Sequence, residues 1–166
     1  MEINMADFDV CLNWVLDNED ATRQYKTVPD KGGQAISGVN SAVFPAEFAA
    51  INACPQEQRG PLVRSFYQRR FWNQWFDQIA LDDLAKRVYD ASVNMGEGTA
   101  VKLLQEAADV APDGLLGPAT VRTANLRGEA LIDAFIAQRV AHYKLIVLKN
   151  PADQKYLANW LARASK

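Results

Sequence analysis

The sequence predicts a mainly α fold of six to eight helices, with at most a small hairpin in residues 20–44. Three observations carry that reading. Apolar residues recur at helical spacing in most segments, no alternating strand of any length appears, and prolines stand where the first turn of a helix tolerates them. With 166 residues, 49% of them hydrophobic, the chain can bury about 69% of its unfolded surface, which supports a core without disulfide staples.

Phe8, Cys11, Leu12, Val15 and Leu16 fall at i, i+3, i+4, i+7 and i+8, a single apolar stripe on a first helix capped by Asp7 and ending near Asp17. From Asn18 to Phe44 the periodicity disappears, and Pro29, Gly32, Gly33 and Gly38 mark turns. A loop of about 27 residues inside a compact domain is functional or hides a short hairpin. Pro45 and Pro61 open two further helices, one carrying Phe48 and Ile51, the next Leu62, Phe66 and Phe71. Asp82 or Asp83 caps a fourth helix with Leu84, Val88, Ala91 and Met95. Gly96 and Gly98 break it before Val101, Leu104 and Ala108 resume. Asp113-Gly114-Leu115-Leu116-Gly117-Pro118 reads as a turn leading into a proline-started helix. A long last pair holds Leu131, Ile132, Phe135, Ile136, Arg139, Val140 and Tyr143, then Tyr156, Leu157, Trp160 and Leu161.

With 18 Lys and Arg against 20 Asp and Glu, the chain lacks the positive field that draws a phosphate backbone, so nucleic acid is excluded as a main partner. Cys11 and Cys54 sit beside apolar residues in helices and read as buried thiols, not as metal ligands or a disulfide. The longest apolar runs, such as Leu145 to Leu148, are too short for stable membrane insertion. Glu2 and Asp7 stand where a signal peptide carries positive charge, so the expectation is synthesis in the cytoplasm without a leader.

The chemistry narrows by elimination. The one histidine, His142, lies mid-helix and reads as a surface or packing residue. No Gly-x-Ser-x-Gly elbow, Gly-rich phosphate loop or zinc-ligand spacing is present, and no metal or organic cofactor is expected. Carboxylates remain. Asp17, Glu19 and Asp20 crowd the end of the first helix, where the macrodipole is already negative and a solvated end prefers Lys or Arg. Such surroundings suit Glu19 as a general acid; the alternative is an ordinary solvated acid. Eleven residues on, Asp30 begins a Gly-rich stretch able to double back and face Glu19, giving the two carboxylates that glycoside hydrolysis requires. Tyr67, Trp72, Trp75 and Asn94 are candidates to line a sugar cleft, although aromatics at this spacing also suit a core. Arg64, Arg69 and Arg70 form a solvated face or meet an anionic polymer.

These residues, in this order and over nearly the whole chain, resemble glycoside hydrolase family 108, the phage-type and secretion-associated N-acetylmuramidases with a lysozyme-like helical fold. The family's Glu-Gly-Gly, Asp-Pro-Gly-Gly and Gly-Ile correspond to Glu19-Asp20-Ala21, Asp30-Lys31-Gly32-Gly33 and Gly38-Val39. Tyr-x-x-x-Tyr-Trp is matched by Tyr67 and Phe71-Trp72, and Asp-x-x-x-Asn-x-Gly by Asp90, Asn94 and Gly96. Leu104-Gln105, Asp113-Gly114, Gly117-Pro118 and Thr120 continue the pattern, and Arg139, Tyr143, Trp160 and Arg163 close it.

The resemblance implies a peptidoglycan hydrolase in which Glu19 and Asp30 are catalytic and Tyr67, Trp72, Asn94 and Ser37 contact substrate. It implies a lysozyme-like catalytic region over residues 1–95 and a peptidoglycan-binding-like region over 96–166, packed as one unit. The partner is the glycan strand, cut at the β-1,4 bond between N-acetylmuramic acid and N-acetylglucosamine, with inversion and retention both open. Release from the bacterial or phage-infected cytoplasm to the periplasm or wall then needs a holin or a secretion apparatus. The departures cluster around the catalytic Glu: Asp20 and Ala21 replace glycines, and Ala35 stands where the family has Thr, with Ser37 as an alternative hydroxyl. A disabled, wall-binding scaffold is therefore the competing expectation.

Overall fold

Eight α-helices and a three-stranded antiparallel sheet form within residues 5–166, the part of the chain that the computed structural model describes. Glu2, used above in the leader argument, lies outside the described residues. The helices form two compact units, Leu12–Trp72 and residues 5–11 with Asn73–Lys166. The expected mainly helical class is what the chain adopts, and the expected hairpin is present with a short third strand added.

Helix α1 (Phe8–Glu19) begins as its sequence signal requires: Asp7 Oδ1 accepts the N–H groups of Asp9 and Val10 at 2.7 and 3.1 Å, the geometry of an N-cap. It runs two residues beyond Asp17, because the Asp20 N–H still reaches Leu16 O at 2.8 Å. The cation that its last turn lacks comes from beyond the helix. Arg23 folds back to donate to Asp20 O at 2.8 Å and to Asn13 O at 2.9 Å, and it pairs with Asp17 at 2.6 Å. A loop arginine therefore offsets part of the negative charge at the acid-rich helix end, so the charge crowding is partly structural.

In the Leu12–Trp72 unit, β1 (Thr27–Asp30), β2 (Gly33–Ile36) and β3 (Val39–Asn40) pair in chain order, with Thr27 opposite Ile36, Asp30 opposite Gly33 and Ala35 opposite Asn40. Helix α2 (Pro45–Asn52) starts on its proline, and α3 (Arg59–Phe71) holds Pro61 in its first turn. Phe44, Phe66 and Phe71 pack edge to face at 5.0 to 6.2 Å, and Tyr67 joins them. The Arg59 guanidinium ties the connection before β1 to the end of α2, donating to Tyr25 O, Thr27 Oγ1 and Asn52 O at 3.0 to 3.1 Å.

The other unit holds α4 (Asp82–Met95), α5 (Glu97–Ala107), α6 (Pro118–Arg127), α7 (Ala130–Lys149) and α8 (Gln154–Ala164). Leu84, Val88, Val101, Leu104, Leu131 and Phe135 make its core, and Tyr89 meets Phe8 and Phe76 edge to face. Asp82 does not cap its own helix as expected. Leu81 takes the N-cap position, and the Asp82 carboxylate accepts the Asp7 N–H at 3.0 Å. Cys11 is buried, and burial pushes its thiol up to about 12, but Cys54 is only half buried. Among the described residues, no helix is long and apolar enough to cross a membrane.

Candidate active site

Helix α1 delivers Glu19 as its last residue, half buried, to the turn that joins β2 and β3. Gly38 in that turn has φ +83, a conformation glycine adopts without strain. A Cβ at this position would lie 2.9 Å from Glu19 Oε2 and 2.5 Å from the Tyr67 hydroxyl. Glycine is thus needed for its backbone and because any side chain would displace the Glu19 carboxylate. Tyr67, 1% exposed, donates from its hydroxyl to Ser37 O at 2.8 Å, which anchors the turn to α3.

Asp20 builds the loop on the other side of Glu19. Its Oδ2 accepts the Ser37 hydroxyl at 2.7 Å and the Tyr25 N–H at 2.8 Å, and its Oδ1 accepts the Thr22 hydroxyl at 3.0 Å. Burial opposes its ionisation. The hydrogen bonds from Ser37, Tyr25, Thr22 and Gln24 outweigh that penalty and hold the carboxyl below its ordinary range. The loop carries Arg23 and Tyr25 at φ 53° and 52°, where glycines would be the easy choice. Asp20 thus orders the loop after Glu19 by hydrogen bonding, across residues whose backbone is strained.

Asp30 ends β1 on the exposed side of the sheet. Its Oδ1 accepts the Lys31 N–H and its Oδ2 accepts the Asn40 amide, both at 2.7 Å. Asn40 also donates to Lys31 O at 3.1 Å, which fixes the hairpin tip against β3. Glu19 and Asp30 border one segment, Glu19 at Gly38 and Asp30 across from Gly33. Gly33 and the end of β2 at Ile36 are separated by on the order of 10 Å of strand.

The remaining expected contacts divide between the units. Trp72 follows α3 and is half buried. Ser37 is 4% exposed with its hydroxyl on Asp20, and Ala35 is buried in β2 opposite Val28 and Asn40. Asn94 belongs to the other unit, where its amide oxygen accepts the Tyr143 hydroxyl. That bond is part of a network of motif residues. The buried Asp90 carboxylate takes Arg139 at 2.7 Å and Arg163 at 2.8 Å, Arg139 Nε donates to the Tyr143 hydroxyl at 3.2 Å, and Tyr143 stacks on Trp160 at 5.3 Å. The Asp113-Gly114 turn is structural too: Gln105 donates to Asp113 Oδ1 at 2.7 Å and Thr120 Oγ1 at 3.0 Å and accepts the Gly114 N–H at 2.9 Å.

Sequence reasoning missed Asp20 and Gly38 as parts of the site. The available signals were an acid in the crowded end of the first helix, and a glycine in a segment already rich in them.

The sequence profile of the family described as Glycosyl hydrolase 108 matches residues 12–96, and that of a family described as Predicted Peptidoglycan domain matches residues 99–165. The solved structure of SagA from Brucella abortus is similar at 21% identity, covering 95% of this chain and 92% of that one with a TM-score of 0.63, a likeness of fold. No curated protein matches the chain.

Proposed function

The chain belongs to the glycosyl hydrolase 108 family, and from that premise we propose that Glu19 is the general acid and Asp30 its partner in cutting the β-1,4 bond between N-acetylmuramic acid and N-acetylglucosamine. The chain is a glycoside hydrolase whose substrate is peptidoglycan, and its site of action is the cell wall. The observation that carries the site assignment is the placement of the Glu19 carboxylate against Gly38 and the Tyr67 hydroxyl.

In the proposed reaction Glu19 gives its proton to the glycosidic oxygen as the bond from the anomeric carbon breaks. Asp30 accepts a proton from the attacking water or stabilises the positive charge developing on the sugar ring. Trp72 and Asn94 keep the sugar contacts assigned from their family positions; Tyr67 and Ser37, expected to contact substrate, are 1% and 4% exposed with their hydroxyls bonded to Ser37 O and Asp20, so their role is to hold the turn that carries Gly38. Residues 1–95 are assigned the catalytic role and 96–166 the wall-binding role. The two profile matches support that division.

A disabled scaffold is the less favoured reading, because the glycosyl hydrolase match spans the segment that carries Glu19 and Asp30, and the hydrogen bonds of Asp20 order the loop after Glu19. The test is mass analysis of fragments released from purified peptidoglycan. Muropeptides with a reducing N-acetylmuramic acid end are expected from the wild type and not from Glu19→Gln. Bound peptidoglycan with no released fragments would support the binding module. Delivery by a holin or a secretion apparatus belongs to the same proposal, tested by whether neighbouring genes encode one or the other.

A further inference from the structure

Helices α5 and α7 enclose a groove of about 410 Å³ that the proposed reaction does not use. Lys102 and Glu106 line it from α5, Gln138 and His142 from α7, and Leu103 and Leu145 supply apolar wall. Its polar groups are uncommitted. Among the described residues, the side chains of Lys102, Glu106, Gln138 and His142 make no hydrogen bond or ion pair, although Lys102 and Glu106 stand four residues apart on one helix. Burial pushes His142 below its ordinary value, Glu106 opposing and Lys149 adding to that, so at neutral pH the ring offers one donor and one acceptor.

The Asp113-Gly114 turn positions the cation. Gly114, at φ +79, lies so close to Lys102 that an added Cβ would stand 3.1 Å from Lys102 Cε. The lysine stem therefore runs along a backbone that Gln105 holds rigidly. A glycan would call for a flat aromatic platform, and the only ring lining this groove is the His142 imidazole. One charge of each sign, an amide and apolar walls instead suit a short peptide that carries a free carboxylate, an amine and methyl side chains.

Resting on the reading that the chain works on peptidoglycan, we propose that the α5–α7 groove binds the peptide stem of the wall polymer, with Lys102 taking a stem carboxylate and Glu106 the amine of its diamino acid. The sugar chain is then left to the proposed catalytic residues, and the two contacts engage different parts of one polymer.

The test titrates the full chain with the synthetic tetrapeptide L-Ala-γ-D-Glu-meso-diaminopimelate-D-Ala, with chitotetraose as the glycan control, by calorimetry and by amide chemical-shift mapping. The tetrapeptide is expected to shift amides of α5 and α7 around the groove, and Lys102→Met and Glu106→Gln are each expected to weaken it about tenfold, as for one lost charge-assisted hydrogen bond. Shifts that fall outside the groove, binding unchanged in both variants, or chitotetraose occupying the groove would each overturn the proposal. The map on wild-type protein decides even where a variant folds poorly. Lysis of purified sacculi, measured in parallel, separates the two readings. Tetrapeptide binding without lysis removes the hydrolase assignment and leaves the groove, whereas lysis without tetrapeptide binding removes the groove and leaves the hydrolase.

Discussion

The Ser37 hydroxyl donates a 2.7 Å hydrogen bond to Asp20 Oδ2 and so joins the turn after β2 to the residue that follows Glu19. The bond makes the loop sensitive to acid. Because the folded-state pKa of Asp20 is lowered from its usual 3.8, its contribution to stability is present above that value and is lost as pH falls through the lowered one. Asp20→Asn is therefore expected to destabilise the protein at neutral pH, with the difference from wild type closing in strong acid. Urea unfolding across pH 2 to 7 checks this. A difference that stays constant with pH would rule out ionised Asp20 as the organiser.

Glu19→Gln keeps shape and removes the proton. Wall hydrolysis is expected to fall by about 10² to 10⁴, the usual contribution of a general acid, with the melting temperature unchanged. Turbidity loss of purified sacculi measures the rate. Undiminished lysis would assign the acid to another residue.

Gly38→Ala tests the contact between turn and carboxylate. The added Cβ would meet the Tyr67 hydroxyl at 2.5 Å and Glu19 Oε2 at 2.9 Å, so one of them must move, and a positive φ adds about 1 to 2 kcal/mol of strain. Activity is expected to drop further than the stability loss explains. Activity per folded molecule, compared at a temperature where the variant remains folded, separates the two effects.

Asp90→Ala removes the buried carboxylate with which Arg139, 2% exposed, and Arg163 both pair. Removing one partner of a buried ion pair costs about 3 to 5 kcal/mol, and a loss of that size in chemical unfolding is expected here. A loss below about 1 kcal/mol, the size of a surface pair, would show that water reaches the cluster.

Much of this fold was legible along the chain because the deciding interactions are local. Asp7 caps α1 through N–H groups two and three residues away, Pro45 and Pro118 are the first residues of their helices, and the stripe from Phe8 to Leu16 repeats at the helical period. The ordered motif residues, with Glu19 and Asp30 among them, were likewise readable as a pattern. Tertiary structure decided what those residues touch. Arg23 turns back onto the end of α1, Asn40 reaches across the sheet to Asp30, Tyr67 meets a carbonyl 30 residues away, and Arg139 and Arg163 converge on Asp90 from 49 and 73 residues away. Helix period and capping depend on neighbours within one turn, so sequence displays them. A hydrogen bond between distant side chains exists only after the backbone has brought them within about 3 Å, and no local pattern encodes that meeting.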